Sequence, residues 1–154
     1  MRYLLIATFA LSCSLSIPPA RAGEGGLITL RSAHSVTQTI QRLKGALRAK
    51  GMTLFARIDH ARGAGRVGLE LRPTTLLIFG NPKMGTLLME CKQSVGIDLP
   101  QKMLAWRDAH GRVWLTYNDP RYLAERHHLG RCGVAAVRKM SVALHRFAKA
   151  AVAP

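Results

Sequence analysis

The stretch "LLIFGNPKMGTLLME", from Leu76 to Glu90, predicts a strand, a turn and a helix in immediate succession. Its first four residues, Leu76–Phe79, are continuously apolar, which is typical of a strand buried on both faces. Asn81 is a favourable N-cap, and Pro82 fits the first position of a helix. An apolar stripe at helical spacing follows, made by Met84, Leu87, Leu88, Cys91 and Val95. The stretch therefore places a helix N-terminus at the end of a buried strand.

The turn in this stretch also resembles a phosphate-binding loop. Gly80 and Gly85 stand five apart with Thr86 behind them, but the lysine that nucleotide-binding loops carry between the second glycine and the hydroxyl is absent. Pro82 further removes one N–H donor. A helix start still offers backbone N–H groups and a partial positive charge, to which Lys83 adds a full one. The turn is therefore either plain strand-turn-helix architecture or a site for an anion.

The predicted ligand site extends from this turn to two other strand ends. His60 ends the preceding strand and Asn118 ends the last strand. Both reach the same rim if those strands run parallel to Leu76–Phe79. The complete predicted set is His60, Asn81, Lys83, Gly85, Thr86 and Asn118.

The sequence gives weaker evidence for a catalytic or metal-binding site than for the ligand site. Asp59 and His60 are an acid-base candidate, but adjacent strand residues point to opposite faces, so the carboxylate is not expected to orient the imidazole. His127 and His128 diverge by about 100° on a helix, which disfavours a metal site. We therefore assign no catalytic residue, no metal ligand and no cofactor from the sequence.

Outward from the opening stretch, the pattern predicts ten elements in the order β-α-β-(α)-β-α-β-β-α-α. Leu27–Arg31 is a first strand, and Ser35 with Gln38 three residues later is a capping box that opens a helix. Two strands flank the turn around Gly111, as in a hairpin. The last helix has an apolar stripe formed by Val134, Val137, Met140, Leu144 and Phe147. We expect a single α+β domain over residues 23–154, with helices packed on a mixed β-sheet.

Residues 1–22 have the three features of a secretory signal peptide. Arg2 supplies positive charge, Tyr3–Ile17 is apolar and uncharged, and Ala20-Arg21-Ala22 matches a small-residue cleavage site. An apolar stretch of about 15 residues is short for a membrane span, which needs roughly 20. We expect a periplasmic or secreted protein that begins at Gly23 and has no transmembrane segment after processing.

The charge balance limits the partners of the mature chain. The full sequence carries a formal charge of +15. Removal of Arg2 and Arg21 with the signal peptide leaves about +13. The basic residues are scattered singly, and no aromatic-rich nucleic-acid motif accompanies them. We therefore expect a small anionic ligand as partner and no nucleic acid.

Two cysteines, Cys91 and Cys132, remain after the predicted cleavage. An oxidising compartment permits them to pair when their Cα atoms lie within about 7 Å of each other. The alternative is that Cys91 is a small core residue of its helix. Both interpretations stay open at the level of the sequence.

Five short motifs occur between Phe55 and His128, namely I-D-H, L-R-P-T, F-G-N-P-x-x-G-T, D-L-P and Y-N-D-P. Together they resemble the bacterial domain of unknown function family 302. The resemblance implies a sheet with helices on one side, similar to a single copy of the TATA-binding-protein-like fold with additions. It supplies positions without roles, which are Asp59, His60, Pro73, Thr74, Asn81, Pro82, Gly85, Thr86, Asp98, Tyr117 and Asn118. The C-terminal helices and both cysteines lie outside these motifs.

Three classes of function remain open. The first is a non-enzymatic binding module for a small anionic ligand. The second is a structural or interaction protein that acts as a homodimer. The third is an enzyme that uses His60 as an acid-base residue.

Overall fold

A computed structural model describes residues 25–154, so the predicted signal peptide at 1–22 lies outside the described part of the chain. Within residues 25–154 the strands are β1 (Leu27–Ser32), β2 (Thr53–Asp59), β3 (Thr74–Gly80), β4 (Gln101–Arg107) and β5 (Val113–Asn118). The helices of the same part are α1 (Val36–Arg48), α2 (His60–Arg66), α3 (Pro82–Cys91), α4 (Pro120–Arg126) and α5 (Gly130–Val152). The predicted element order is confirmed, with an additional 3-10 helix at Gln93–Asp98 between α3 and β4.

The described strands form a sheet in the order β1-β5-β4-β3-β2. Every neighbouring pair in it is antiparallel. The prediction of an α+β domain is therefore confirmed, but the prediction of a mixed sheet is wrong. The reason is the path of α1, which carries the chain from β1 at one edge to β2 at the other edge. These two strands point in the same direction, but β5, β4 and β3 lie between them and separate them.

The crossover helix α1 begins as the capping box predicts. The Gln38 N–H donates to Ser35 Oγ at 3.3 Å, and the Ser35 N–H donates to Gln38 Oε1 at 3.1 Å. The buried face of α1 consists of Val36, Thr39, Ile40, Leu43 and Leu47. This face packs on the sheet and α1 also contacts α5, so the long crossover contributes to the core.

Side chains of the sheet alternate between a covered face and an open face. The covered face holds fully buried residues such as Leu77, Phe79 and Met103, and the helices pack on this side. Leu76 and Ile78 point to the open face and are only half-buried. The prediction that this strand is buried on both faces is therefore wrong, because an antiparallel sheet can leave one face in contact with solvent.

The C-terminal helix α5 supplies much of the core. Its buried residues include Leu144, Phe147, Ala148 and Ala151. The ring of Phe147 contacts Phe79 edge to face, with centroids 6.5 Å apart. Val134, a member of the predicted stripe, is instead 61% exposed, and Gly133 and Val137 form the buried side of that turn.

Neither α5 nor another helix in residues 25–154 is long and apolar enough to cross a membrane.

Cys91 and Cys132 form a disulfide, with Cα atoms 5.8 Å apart. The hypothesis of pairing is therefore confirmed, and the alternative of a free core thiol is wrong. Cys91 is the last residue of α3, and Cys132 lies in the first turn of α5. The bond joins these two helices across 41 residues of sequence.

Tyr117 is a buried residue of β5 whose hydroxyl is left without a partner. The residue is 2% exposed, and its Oη makes no hydrogen bond within residues 25–154. Burial, followed by the nearby Asp119 carboxylate, raises the pKa of Tyr117 to about 12. The folded protein therefore holds this phenol neutral at pH values where an unfolded tyrosine ionises.

We expect the Tyr117→Phe variant to be as stable as the wild type at neutral pH or more stable by up to about 1 kcal/mol, since it removes an unpaired buried hydroxyl. As the pH rises from about 10 to about 12, the unfolded tyrosine ionises before the folded one, so this residue lowers the stability of the wild type in that window. The variant lacks that loss. Urea unfolding at neutral and alkaline pH measures both effects, and equal alkaline losses in the two proteins would contradict the raised pKa.

Candidate functional site

An apolar cavity of about 820 Å³ opens beside the turn between β3 and α3. Its walls are the C-terminal end of α1, the first turns of α3 and the second half of α5. The loop before β4 completes the enclosure through Leu99 and Pro100. The volume falls within the range of about 300–1,000 Å³ that is typical of small-molecule sites.

Apolar groups dominate the lining of this apolar cavity. Its larger apolar side chains are Met52, Phe55, Met84, Met89, Leu99, Met140, Leu144 and Phe147. Methionine side chains are unbranched and polarizable, so a wall rich in them can adapt to ligands of different shape. The buried Gln101 amide is turned toward this wall, since its Nε2 donates to Met140 Sδ at 3.1 Å.

Positive charges lie at the rim of the apolar cavity. Lys50 follows α1, while Lys139 and Arg146 lie seven residues apart on one face of α5. All three are exposed, and none of them forms an ion pair with a carboxylate of residues 25–154. The described lining contains no Asp or Glu. The cavity therefore combines an apolar interior with a cationic rim.

The start of α3 does not supply free hydrogen-bond donors. Pro82 has no N–H, and the Lys83 N–H donates to Asn81 Oδ1 at 3.0 Å. The N–H groups of Met84 and Gly85 both donate to the Asn81 carbonyl oxygen at 3.1 Å. The expectation that unpaired N–H groups at this helix start hold an anion is therefore wrong, because Asn81 satisfies them with its side chain and its carbonyl. Its predicted role as N-cap is confirmed.

Half of the predicted ligand-site residues line the apolar cavity. They are Asn81, Gly85 and Thr86. Lys83 is exposed in the first turn of α3 but does not line the cavity. The turn that the sequence singled out therefore forms part of the wall, although its lysine points elsewhere.

The other two predicted residues lie on strands that do not bring them to the cavity. His60 follows β2, which runs antiparallel to β3, so the preceding Asp59 pairs with Thr75 near the start of β3. His60 is thus at the opposite end of the sheet, and the prediction that it reaches the rim is wrong. Asn118 ends β5, which points in the same direction as β3. Because β4 separates the two strands, Asn118 does not line the cavity.

The sequence interpretation missed the three rim cations. Those on α5 gave a signal, since Lys139, Ala143, Arg146 and Ala150 recur at helical spacing and all line the cavity. Small residues in this stripe leave space between two basic ones. Lys50 gave no comparable signal, because its place at the rim depends on how α1 packs against α5.

Within residues 25–154, no group of three or more His, Cys, Asp or Glu side chains is placed to hold a metal ion. His127 is instead engaged with a single carboxylate, since its Nε2 lies 2.6 Å from Asp98 Oδ2. Arg126 Nη1 lies 3.3 Å from the other oxygen of Asp98. These contacts join α4 to the 3-10 helix before β4 and assign His127 a structural role.

A family model described as domain of unknown function DUF302 matches residues 28–147. The chain therefore belongs to the DUF302 family. The matched region is wider than the short motifs indicate, because it includes both disulfide cysteines and most of α5.

A solved structure supports the same fold. The uncharacterized conserved protein DUF302 from Bacillus stearothermophilus is similar with a TM-score of 0.74 at 17% sequence identity. The similarity covers 82% of this chain and 98% of that chain. The fold described above is therefore also the fold of that protein.

The curated relatives of this chain include two proteins from Brucella suis and Brucella abortus. The fluoride-specific ion channel FluC 1 of Brucella suis biovar 1 is 49% identical over 123 residues, which cover 80% of this chain and 48% of that protein. The protein of the same name from Brucella abortus biovar 1 is also 49% identical over 123 residues, which cover 46% of its length. The chain thus spans about half the length of the curated relatives it matches.

Proposed function

We propose that this protein is a non-enzymatic binding module for a small amphipathic anion. The apolar body of the ligand would occupy the apolar cavity, and its negative group would lie at Lys50, Lys139 and Arg146. The observation that carries the proposal is an apolar cavity of about 820 Å³ with cations at its rim. This combination narrows the ligand from any small anion to an anion with an apolar body.

Apolar burial supplies most of the affinity in this proposal. Each CH₂ group that moves from water into an apolar site contributes about 0.8 kcal/mol. That contribution corresponds to roughly a fourfold gain in affinity per group. A chain of several CH₂ groups therefore outweighs what a surface charge contact contributes.

The rim cations orient the ligand more than they hold it. An exposed ion pair contributes about 0.2–1 kcal/mol and is weakened by salt. A carboxylate or phosphate that entered the apolar interior would lose its hydration without a compensating partner. The negative group therefore stays at the rim beside Lys139 and Arg146 while the apolar body enters.

Fluoride is another anion to weigh, because the names of the Brucella relatives refer to it. It has no apolar body to bury. The N–H donors at the start of α3 are already bonded to Asn81 and cannot replace its water shell. The cavity therefore favours an amphipathic anion over fluoride.

Titration with hexanoate, octanoate and decanoate, followed by calorimetry, tests the proposal. We expect the affinity to rise by up to about fourfold for each added CH₂ group. Acetate and fluoride lack the apolar body and are expected to bind at least about tenfold more weakly than decanoate. Affinities that do not depend on chain length, or fluoride binding tighter than decanoate, would contradict the proposal.

Charge variants of α5 provide the matched control. The Lys139→Gln/Arg146→Gln variant should bind decanoate about two- to tenfold more weakly. The Arg138→Gln/Lys149→Gln variant loses the same charge from exposed positions of α5 outside the cavity and should keep wild-type affinity. An equal loss of decanoate affinity in both variants would show that the total charge of the protein matters and that the positions of Lys139 and Arg146 at the rim do not.

We also propose a periplasmic or secreted location. The features of residues 1–22 support it, as does the disulfide between Cys91 and Cys132, since disulfides persist in oxidising compartments. Protein recovered from the periplasmic or extracellular fraction of its native host is expected to begin at Gly23 and to carry the oxidised pair. Mass spectrometry that finds protein beginning at Met1, or free thiols in the native protein, would contradict this location.

A homodimer is the second candidate, and the open face of the sheet favours it. A cross-strand row on this face consists of Ile58, Leu76, Leu104, Thr116 and Thr29. In the next row Trp106 stacks on Trp114 with ring centroids 6.4 Å apart. Outward positions of a solvated antiparallel sheet are usually polar, whereas apolar and aromatic residues are typical of interface centres.

Charge supports a second copy as the partner on the open face. Arg31 and Lys102 are the charged residues of its outward rows, which contain no carboxylate to attract a basic partner. Two strongly basic chains repel least when their least charged faces meet. The open face is therefore the surface through which two copies would associate.

We expect wild-type protein to have the mass of a dimer in light scattering after gel filtration. Leu104→Glu places a charge in the middle of the open face and should give a monomer, while Val134→Glu at an exposed position of α5 should remain a dimer. Circular dichroism checks that both variants are folded. A monomeric wild type, or a folded Leu104→Glu dimer, would contradict the proposal.

A further inference from the structure

A polar cleft of about 540 Å³ lies at the other end of the sheet from the apolar cavity. Its walls are the end of β1, the first residues of α1, the turn between β4 and β5, and Pro73 before β3. The apolar cavity instead adjoins Gly80, where β3 finishes. The polar cleft is therefore a site separate from the apolar cavity and independent of the proposed function.

The lining of the polar cleft is strongly basic. Its titratable residues are Arg31, His34, Arg107, His110 and Arg112, and the described lining contains no carboxylate. These side chains come from β1, from the loop before α1, and from the hairpin of β4 and β5. Cations gathered from separate segments around one cleft favour an anionic ligand.

One of the three arginines is already engaged within the hairpin. Arg112 Nε donates to Asp108 Oδ2 at 2.7 Å, and the guanidinium lies 5.5 Å from the centroid of the Trp114 ring. The same carboxylate accepts further hydrogen bonds from Trp114 Nε1 and from the backbone of His110 and Arg112. Asp108 is therefore occupied by the hairpin and is not available to neutralise another cation.

The pKa of Asp108 agrees with this assignment. Burial raises the pKa of Asp108, but the hydrogen bonds from Trp114 and Arg112 lower it by more than burial raises it. The pKa of Asp108 therefore lies well below the usual range of an aspartate. The carboxylate stays ionised and bonded to the hairpin at any pH near neutrality.

The other two arginines keep their guanidinium groups uncommitted. Arg31 and Arg107 are exposed and have no ion pair or side-chain hydrogen bond with residues 25–154. Arg31 leaves β1 on the open face of the sheet and Arg107 leaves β4 on the covered face, so the two line the polar cleft from opposite sides of the strand ends. The backbone of Arg107 is nevertheless fixed, since its N–H donates to the Pro73 carbonyl at 3.0 Å and its carbonyl accepts from Arg72 Nε at 3.2 Å. A guanidinium on a fixed backbone can bind a ligand with a smaller loss of chain entropy.

The first residues of α1 complete the polar cleft. Val36 and Thr37 line it and are the first two residues of a 13-residue helix. Their N–H groups have no partner within the helix, because the first turn lacks preceding carbonyls. In the capping box the Ser35 side chain accepts from the Gln38 N–H and does not bond the N–H groups of Val36 and Thr37.

We propose that the polar cleft binds a phosphoryl group, with Arg31 and Arg107 as its principal ligands and the start of α1 as a secondary one. The guanidinium fork matches two oxygens of a phosphate, and the three free oxygens of a phosphate monoester can engage more than one such fork. A single carboxylate has two oxygens and fits this set of donors less completely. The phosphoryl group can belong to a free phosphate compound or to a lipid headgroup at a membrane surface.

Titration with pyrophosphate at low salt, followed by amide chemical shifts, tests the site. We expect the amides of Val36, Thr37 and Gly111 to shift, and the affinity to fall at least about tenfold in the Arg31→Ala/Arg107→Ala variant. The Arg66→Ala/Arg131→Ala variant loses the same charge at exposed positions outside the cleft and should stay near the wild-type affinity. Equal losses in the two variants, or shifts that avoid the cleft, would overturn the proposal.

Flotation with vesicles identifies the source of the phosphoryl group. Binding to vesicles of phosphatidylglycerol that is lost in Arg31→Ala/Arg107→Ala, but kept in the control variant, supports a lipid headgroup. Pyrophosphate binding with no vesicle binding supports a free phosphate compound. Absence of both would overturn the site, while decanoate binding in the apolar cavity of the same variant would remain, so failure here is distinguishable from failure of the proposed function.

Discussion

The edge-to-face contact between Phe79 and Phe147 holds α5 on β3, and the apolar cavity forms beside it. The chain leaves β3 at Gly80, the residue after this ring. A Cβ atom at Gly80 would lie 3.3 Å from Phe55 Cε2 and 3.4 Å from Pro100 Cβ, which is tighter than ordinary contact. The missing side chain therefore lets Phe55 and Pro100 close the wall on one side, while Phe147 forms the wall on the other.

The disulfide adds a second constraint on the same walls. α3 and α5 both line the apolar cavity, and the bond between Cys91 and Cys132 joins the end of one to the start of the other. A cross-link over a loop of this size stabilises a folded domain by about 2–4 kcal/mol, mainly by restricting the unfolded chain. Because α5 is also packed on the sheet, the bond limits how far α3 can move away from it. An adaptable methionine lining thus sits between helices whose backbones are held.

Local signals in the sequence predicted the elements, and non-local pairing decided the rest. Ser35 with Gln38 and Asn81 with Pro82 identified the starts of α1 and α3, because capping acts within a few residues. The sheet order depends instead on which strands meet across the chain. The residues around His60 do not indicate that β2 runs antiparallel to β3. The position of His60 at the end of the sheet away from the apolar cavity therefore could not be predicted from the local sequence. The hydrogen bonds that occupy the N–H groups at the start of α3 likewise depend on the orientation of Asn81, which cannot be predicted from the identity of the residue alone.

The distribution of the acidic residues explains why both clefts stay cationic. Each described aspartate is engaged with the fold itself. Asp59 and Asp119 cap α2 and α4, Asp98 bonds His127 and Arg126, and Asp108 bonds the hairpin. Carboxylates committed to caps and hairpins cannot neutralise basic residues elsewhere, and a formal charge of +15 leaves many of those without a partner. The structural aspartates thereby preserve two separate positive surfaces at opposite ends of the sheet, of which one adjoins an apolar interior and the other a polar cleft. Since the surrounding chemistry differs, the two ends are expected to select different anions although their charge is the same.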